Sequence, residues 1–184
     1  MNFVVRLTPI IVGVDFFQRE RTMAKNGTST TRIDLKGKLR NSMIALLNQQ
    51  LADTVDLYTQ VKQAHWNVRG PHFIALHELF DKLAEDLEGP VDDIAERVTA
   101  LGGVARGTAR MAARESRLSE LPGDNFDGLV VVAALADRYA ALAASTRKAI
   151  DTAGKAGDAD TSDLFTGVSR GLDKALWFLE AHLG

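Results

Sequence analysis

Residues 65–97 read HWNVRGPHFIALHELFDKLAEDLEGPVDDIAER and hold five potential metal ligands: His65, His77, Asp81, Asp92 and Glu96. On a helix, residues four positions apart share a face, which pairs His77 with Asp81 and, by the same spacing, Asp92 with Glu96. Asp81 and Asp92 also face one way, but a rise of about 1.5 Å per residue separates them by roughly 16 Å. Metal–ligand bonds are only about 2.0–2.2 Å long, so one helix cannot bring both pairs to one ion. The spacing therefore predicts a metal site shared by two antiparallel copies of this helix across a two-fold interface.

The types of ligand narrow the choice of metal. Two imidazoles and three carboxylates suit a divalent transition ion better than calcium or magnesium, which prefer all-oxygen shells. The donor set alone leaves iron, manganese, zinc and cobalt open. A di-iron centre inside one subunit would need Glu-x-x-His motifs, and the chain contains none. Because Glu85 and Glu88 lie on the same helix face, a solvated acidic face is the competing interpretation.

Three motifs in this stretch occur together at defined intervals: HWNVRG, then F-x-A-x-H-x-x-x-D, then D-x-x-A-E-R-x-x-x-L-G-G. With LADRY at 135–139 and LDKALWFLE at 172–180, they make the chain resemble the Dps family, the DNA-binding proteins of starved cells or mini-ferritins. The resemblance extends from about Thr31 to Leu183.

The resemblance implies an assignment for each ligand. A first half-site of His65, His77 and Asp81 would come from one chain, and a second half-site of Asp92 and Glu96 from its mate. Asp92 is preferred to Asp93 because the family interval to the glutamate selects it. Each shared site would hold two ferrous ions.

The resemblance also implies an assembly and an activity. We expect a ferritin-like bundle that forms a hollow homo-dodecamer, oxidises Fe²⁺ preferentially with hydrogen peroxide, stores ferric mineral and protects DNA. The family ferroxidase is thus an oxidoreductase acting on metal ions with peroxide or dioxygen. The alternative is a structural DNA-compacting protein whose metal site is vestigial or holds zinc.

The rest of the chain predicts an all-α fold. An amphipathic helix begins near Leu39 on the apolar positions Ile44, Leu47, Leu51, Val55, Tyr58 and Val61, and His65 follows on the same stripe. A second helix is predicted over 73–101, a short helix near Met111, a third helix over 127–152, a polar loop over 154–160 and a fourth helix over 161–181. Four long helices with a long second connection indicate a four-helix bundle with a crossover.

Gly89-Pro90 lies inside the second helix, two residues before Asp92. Proline removes a backbone hydrogen bond and usually kinks a helix. The sequence therefore allows either a bend at this point or two separate helical segments.

The N-terminal part of the chain differs in charge from the remainder. Residues 1–40 carry eight Lys or Arg against three Asp or Glu, although the whole chain has a net charge of −2. We predict a flexible basic tail over 1–36 and a bundle domain over 37–184. The segment 1–22 is compatible with an over-extended start, since Met23 offers an alternative. The candidate DNA-binding residues are Lys25, Arg32, Lys36, Lys38 and Arg40, and a solubilising tail is the competing interpretation.

The amino-acid composition also indicates in which cellular compartment the protein is expected. Without cysteine, disulfides and thiolate metal sites are excluded. The apolar N-terminus makes a poor signal peptide because Arg6, Pro9 and Asp15 interrupt it. No stretch approaches the roughly 20 apolar residues of a membrane span. These features favour a cytoplasmic protein, associated with the nucleoid if it binds DNA, and no membrane partner.

Three further groups have two interpretations each. Trp66 is either a core anchor or, by the resemblance, an acceptor of stray oxidising equivalents near iron. The cluster Asp158, Asp160 and Asp163 provides either turn and helix-cap chemistry or, by the resemblance, the lining of a three-fold iron-entry pore. The cationic stripe of Arg106, Arg110, Arg114 and Arg117 either forms a second basic surface or pairs with Glu115 and Glu120.

Overall fold

Four long helices and one short helix make up residues 29–184, the part of the chain that the computed structural model describes. The helices are α1 (Gly37–Asn67), α2 (Phe73–Ala100), α3 (Ala109–Glu115), α4 (Gly128–Ala156) and α5 (Ala159–Glu180). Within these residues only one isolated bridge, between Arg69 and Asp127, has β-type pairing. The predicted all-α bundle is confirmed. Lys25 and the segment 1–22 lie outside the described residues.

The contacts between helix ends define the topology. A short turn over 68–72 joins α1 to α2, and a two-residue loop joins α4 to α5. The bridge from Arg69 to Asp127 places the end of α1 beside the start of α4. Arg97, near the end of α2, donates a hydrogen bond of 2.8 Å to Asp158 at the start of α5. The order is therefore up, down, down, up, and the connection over 101–127 crosses the length of the bundle, as predicted.

An ion pair between buried Asp53 and exposed Arg117 fixes this crossover to α1. Asp53 is 1% exposed and accepts hydrogen bonds from the backbone N–H of Arg117 at 2.8 Å and from its Nε at 3.1 Å. Gln60 donates to the carbonyl of Ser119 at 3.1 Å, and Arg138 donates to that same carbonyl at 3.2 Å. The polar groups of the crossover are thus satisfied against the helices, as buried polar groups must be.

The core forms where the apolar faces of the long helices meet. Helix α1 contributes Met43, Leu47, Leu51, Leu57, Val61 and Ala64, whereas the predicted core positions Ile44, Val55 and Tyr58 are only half-buried. Leu76, Phe80, Ile94 and Val98 of α2 are 0% exposed. Truncating such a side chain to alanine costs about 2–5 kcal/mol. The buried stripe of α1 is therefore rotated from the predicted one, which leaves Tyr58 at its edge.

Helix α2 continues through Pro90 without interruption, which excludes the two separate segments that the sequence also allowed, so His77, Asp81, Asp92 and Glu96 belong to one helix. One helix boundary differs from expectation. Helix α4 runs past Gly154 to Ala156, where Gly157 ends it with φ of 89° and donates its N–H to the carbonyls of Ala153 and Gly154. Such a left-handed C-cap favours glycine. The predicted polar loop over 154–160 is reduced to two residues because Asp158 caps α5 immediately afterwards.

Helix α4 is the one helix within 29–184 that is long and apolar enough to cross a membrane by length and composition. The sequence prediction that no segment reaches this level is therefore wrong. Of its most apolar window, 56% is buried against the other helices, as in the core helix of a bundle.

Candidate metal centre

The first half-site lies where α1 ends and α2 begins. His65 occupies the last turn of α1, and His77 and Asp81 occupy the first turns of α2. The tight turn between the helices brings the two imidazole rings into a stack with centroids 3.8 Å apart and planes inclined by 23°. Two of the predicted ligands, twelve residues apart in sequence, are therefore in direct contact.

A reciprocal pair of hydrogen bonds holds these rings. Nδ1 of His65 lies 2.8 Å from the carbonyl oxygen of His77, and Nδ1 of His77 lies 2.9 Å from the carbonyl oxygen of His65. A carbonyl oxygen can only accept, so each Nδ1 carries the proton and donates. In a neutral imidazole the lone pair is then on Nε2, the form that a metal requires. The backbone of each helix thus prepares the histidine of the other as a ligand.

Asp81 completes the first half-site. Its Oδ1 lies 3.8 Å from Nε2 of His65, and its side chain is 57% exposed. Lys62 places its Nζ 2.7 Å from the same oxygen. The hydrogen bond from Lys62 is the largest cause that lowers the pKa of Asp81, with smaller contributions from the charges of Lys62, His65 and His77. Asp81 is therefore held as a carboxylate, and the ammonium group of Lys62 is its partner.

Sequence reasoning missed Lys62. It lies three positions before His65 and hence on the same face of α1. That spacing was a usable signal, because a cation beside a predicted cation site would compete for its carboxylate. Its contact with Asp81, nineteen positions away, depends on how α1 and α2 pack.

The second half-site lies farther along α2. Asp92 and Glu96 are exposed on the continuous helix, about 16 and 22 Å from Asp81 by helical rise. Within the described part of a single chain, no three His, Asp or Glu side chains converge in a way that could hold a metal ion. In one chain the predicted ligands thus form two separate groups: His65 of α1 with His77 and Asp81 of α2, and Asp92 with Glu96 farther along α2.

Trp66 is 66% exposed, so it is not the core anchor that one interpretation predicted. Its position at the end of α1 directs it away from the buried stripe. Nζ of Lys62 lies 6.0 Å from the centre of its ring, at the limit of a cation–π contact. Phe73 and Ile74 at the start of α2 are also exposed, by 41% and 61%. These side chains give the half-site an apolar border.

The three aspartates at the start of α5 differ in environment. Asp158 is 2% exposed and is the N-cap of α5. Its oxygens accept from the Thr161 backbone and hydroxyl at 3.0 and 2.6 Å and from Arg97 at 2.8 Å. The helix-cap interpretation therefore holds for Asp158. Asp160 is 83% exposed, 3.7 Å from Nη1 of Arg97, and Asp163 is exposed as well, so these two remain available to line a passage.

The candidate DNA-binding residues within 29–184 lie at the start of α1. Arg32, Lys36 and Lys38 are exposed, and Arg40 is half-buried. The chain that precedes α1 follows the bundle, because the Ser29 N–H donates to the carbonyl of Gly102 at 2.7 Å. Ile33 and Leu35 pack against the core.

The basic stripe on the crossover divides into two parts. Arg117 pairs with Asp53 rather than with a glutamate. Arg106, Arg110 and Arg114 are exposed, and within the described residues none of them forms an ion pair. The predicted pairing with Glu115 and Glu120 is therefore not formed.

Comparison with known proteins places this geometry in a family. A ferritin-like domain model matches residues 44–184. A DNA protection during starvation protein of Agrobacterium fabrum is 45% identical over 156 residues, covering 85% of this chain and 96% of that protein. The structure of DpsC from Streptomyces coelicolor is similar with a TM-score of 0.83 and 31% identity, covering 89% of this chain and 96% of that one.

The description of a third relative names the type of metal centre found in its superfamily. A Dps protein of Vibrio cholerae, described as a member of a broad superfamily of ferritin-like diiron-carboxylate proteins, is similar with a TM-score of 0.79. Its identity is 28%, and the match covers 86% of this chain and 99% of that one. By the family model and the relative of 45% identity, the chain belongs to the Dps group of the ferritin-like family.

Proposed function

We propose that this protein is a ferroxidase and iron-storage protein that protects DNA under oxidative or starvation stress. The observation that carries the proposal is the reciprocal bonding of His65 and His77, which leaves the lone pair of each ring on Nε2, with Nε2 of His65 3.8 Å from the carboxylate of Asp81. Nitrogen and oxygen donors of this kind suit ferrous iron, and the diiron-carboxylate description of the Vibrio cholerae relative favours iron among the possible metals.

The proposed site is completed by a second chain. A two-fold axis that crosses the α1–α2 face would bring Asp92 and Glu96 of one copy to the first half-site of the other. An isologous interface creates two such sites at once, because the same surfaces meet twice. Exposed Trp66, Phe73 and Ile74 would be covered in such a contact, as large apolar groups at an interface usually are. We propose that these pairs assemble further into a hollow shell of twelve chains.

The shared site would hold two ferrous ions as substrates. Each hydrogen peroxide accepts two electrons, one from each ferrous ion, together with two protons, and leaves as two waters. Holding the two ions together means that neither has to transfer a single electron to peroxide, the reaction that releases hydroxyl radical. The acidic face of α2, with Glu85 and Glu88 exposed, would then border the compartment in which ferric oxide-hydroxide collects.

Iron entry and DNA contact would use other surfaces. Asp160 and Asp163 are proposed to attract Fe²⁺ at a three-fold passage, since a narrow acidic opening concentrates cations. The basic N-terminal tail, with the exposed cations at the start of α1, is proposed to bind duplex DNA without sequence preference. The name of the Agrobacterium fabrum relative supports a role in DNA protection. We propose a cytoplasmic, nucleoid-associated location.

A second candidate function is favoured by Lys62. Its ammonium occupies the position beside Asp81 that a metal would take, which fits a vestigial or zinc-holding site in a structural DNA-compacting protein. The two functions are separated by adding ferrous ion to the purified shell, with and without peroxide, while ferric absorbance is followed. The ferroxidase proposal expects oxidation well above the buffer rate, with little oxidation in His65→Ala. Oxidation at the buffer rate in the wild type would favour the structural function.

A further inference from the structure

Tyr58 lies on the same face of α1 as the first half-site. It precedes His65 by seven positions, two helical turns, so the two side chains point the same way about 10 Å apart. It is half-buried and packs against the core with one edge. The chain has only one other tyrosine, Tyr139, which is 1% exposed inside the bundle. Tyr58 is therefore the one phenol at the surface that carries the metal ligands.

A carboxylate stands beside its hydroxyl. The Oη atom of Tyr58 lies 3.5 Å from Oε1 of Glu88 on α2, a long contact that a small rotation of either side chain would shorten. Glu88 is exposed and can exchange protons with solvent. A phenol loses its proton readily when it gives up an electron, so an adjacent carboxylate makes Tyr58 a better electron donor than an isolated tyrosine.

The position of Tyr58 and Glu88 along the bundle relates them to both sites of a two-chain pair. This inference rests on the proposed two-chain site. A two-fold axis that joins the half-sites of two copies must pass midway between positions 81 and 92. Glu88 is within about 2 Å of that midpoint along the helix. Tyr58 would therefore lie between the two sites of a pair, at a similar distance from each, where it could serve both.

We propose that Tyr58 supplies one electron when peroxide meets a site that holds a single ferrous ion. The ferrous ion gives one electron and becomes ferric. Tyr58 gives the other electron and becomes a neutral tyrosyl radical, and its proton passes to Glu88. Two protons taken from solvent complete the reduction, so that peroxide leaves as two waters while Glu88 keeps the proton of the phenol. The next ferrous ion to arrive at either site reduces the radical, and the phenol recovers a proton, so that two ferrous ions are still consumed for each peroxide.

Trp66 is the competing aromatic donor, and its surroundings are less favourable. An indole that loses an electron first becomes a radical cation. The ammonium of Lys62, 6.0 Å from the ring centre, opposes that positive charge. Trp66 also has no carboxylate contact among the described side chains that matches the one between Tyr58 and Glu88.

The test uses the full-length shell loaded anaerobically with one ferrous ion per site, mixed with peroxide and frozen within milliseconds for electron paramagnetic resonance. The variants are Tyr58→Phe, Glu88→Gln and the matched control Tyr139→Phe. Shells made with ring-deuterated tyrosine identify the radical, because only two positions carry the label. We expect a tyrosyl signal that narrows on deuteration, persists in Tyr139→Phe, weakens in Glu88→Gln and is lost in Tyr58→Phe. Spin-trapped hydroxyl radical should rise in Tyr58→Phe.

The possible failures are distinguishable. A signal that persists in Tyr58→Phe, or one that responds to deuterated tryptophan instead, would overturn the role of Tyr58 while leaving the ferroxidase intact. Normal iron oxidation without any protein radical signal would also overturn the role of Tyr58. Iron oxidation no faster than in buffer would overturn the proposed function, and this inference with it.

Discussion

His65 and His77 each donate their Nδ1 proton to the backbone carbonyl of the other, at 2.8 and 2.9 Å. Because both acceptors are backbone carbonyls, removal of either ring leaves the hydrogen bond of the other in place and removes only the stacking contact between them. The turn between α1 and α2 is what makes this pairing possible, and it orients both Nε2 atoms before any metal arrives.

The geometry predicts that each histidine contributes a ligand of its own to metal binding. Loss of an orienting contact typically lowers metal affinity by about 10–100-fold, and loss of a ligand costs at least as much. His65→Ala and His77→Ala should each weaken Fe²⁺ or Co²⁺ binding by at least this extent, and the double variant should bind more weakly than either single variant, because the remaining ring keeps its backbone hydrogen bond in each single variant. His77→Ala with Asp81→Ala should abolish rapid iron oxidation. Anaerobic titration calorimetry measures the affinities.

The control for these variants is His72→Ala, since His72 is exposed at the start of α2 and is not a proposed ligand. It should leave affinity unchanged. All variants should keep the helical circular dichroism and the shell size of the wild type. Collapse of the bundle in His65→Ala would indicate a core role and contradict the ligand assignment.

Lys62 should behave as a competitor of the metal. Lys62→Met removes the ammonium from Asp81 and should raise the affinity for Fe²⁺ several-fold at neutral pH. The hydrogen bond from this lysine lowers the pKa of Asp81, so the ion pair is fully present above the ordinary carboxyl pKa of about 3.9 and is lost only as pH falls through the lowered pKa. The competition should therefore persist through the whole neutral range.

Lys82→Met is the matched control, because Lys82 pairs with Glu85 and Asp86 on the same helix but touches no proposed ligand. It should leave affinity for Fe²⁺ near the wild-type value. Weaker binding in Lys62→Met would mean that Lys62 positions Asp81 rather than competing for it.

The aspartates at the start of α5 should separate into a structural and a functional class. Asp158→Ala removes the N-cap of α5 and leaves the nearly buried Arg97 short of a partner. Leaving a buried charge unpaired costs about 3–5 kcal/mol, so thermal unfolding should shift markedly downward. Asp160→Asn with Asp163→Asn should keep the unfolding temperature and slow iron uptake at low ionic strength, measured by stopped-flow absorbance. Unchanged uptake in the double variant would remove the pore role.

DNA binding should depend on the tail that precedes the described residues. Because residues 29–35 pack on the bundle, the deletion should cover 1–28 and no more. Many tails on one shell raise the effective concentration of weak contacts, so full-length shells should bind duplex DNA tightly at low salt. The log–log salt slope should be near −0.9 per phosphate neutralised. Gel-shift series at rising salt, with and without Mg²⁺, test this.

The truncated shells should bind more weakly, with the part of the affinity that Arg32, Lys36 and Lys38 provide remaining, and should keep ferroxidase activity. Arg106→Gln, Arg110→Gln and Arg114→Gln together form the comparison variant, since these arginines are exposed on the crossover. If truncated shells bind as well as intact ones and the triple variant does not, the crossover rather than the tail is the DNA-binding surface. If full-length shells do not bind duplex DNA even at low salt, the protein is a mini-ferritin without DNA binding.

Periodicity and motif spacing were sufficient to predict the helices, the crossover and the family. They were insufficient for features that depend on tertiary packing, such as which face of a helix is buried. The stripe through Ile44 and Tyr58 has the right period, but the buried face of α1 is centred on Met43 and Leu57 instead, because α2 and α4 approach from that side. The same packing leaves Trp66 exposed at the helix end.

The candidate site shows the same limit. The family resemblance grouped His65 with His77, yet the reciprocal hydrogen bonds depend on the path of the turn between them. Asp158 could not be separated from Asp160 and Asp163 by composition, since a helix cap and an acidic opening use the same residue. Only its contacts with Thr161 and Arg97 distinguish it.

The central claim is that each site takes its ligands from two chains, and a mixing experiment tests it most directly. Shells are refolded from equal amounts of two inactive variants, His77→Ala with Asp81→Ala and Asp92→Ala with Glu96→Ala, and co-assembly is verified by native mass spectrometry. Every mixed pair would contain one intact site and one doubly broken site, so random pairing should restore roughly a quarter of the wild-type rate of peroxide-dependent iron oxidation. A mixed shell as inactive as either parent, despite proven co-assembly, would contradict the shared site.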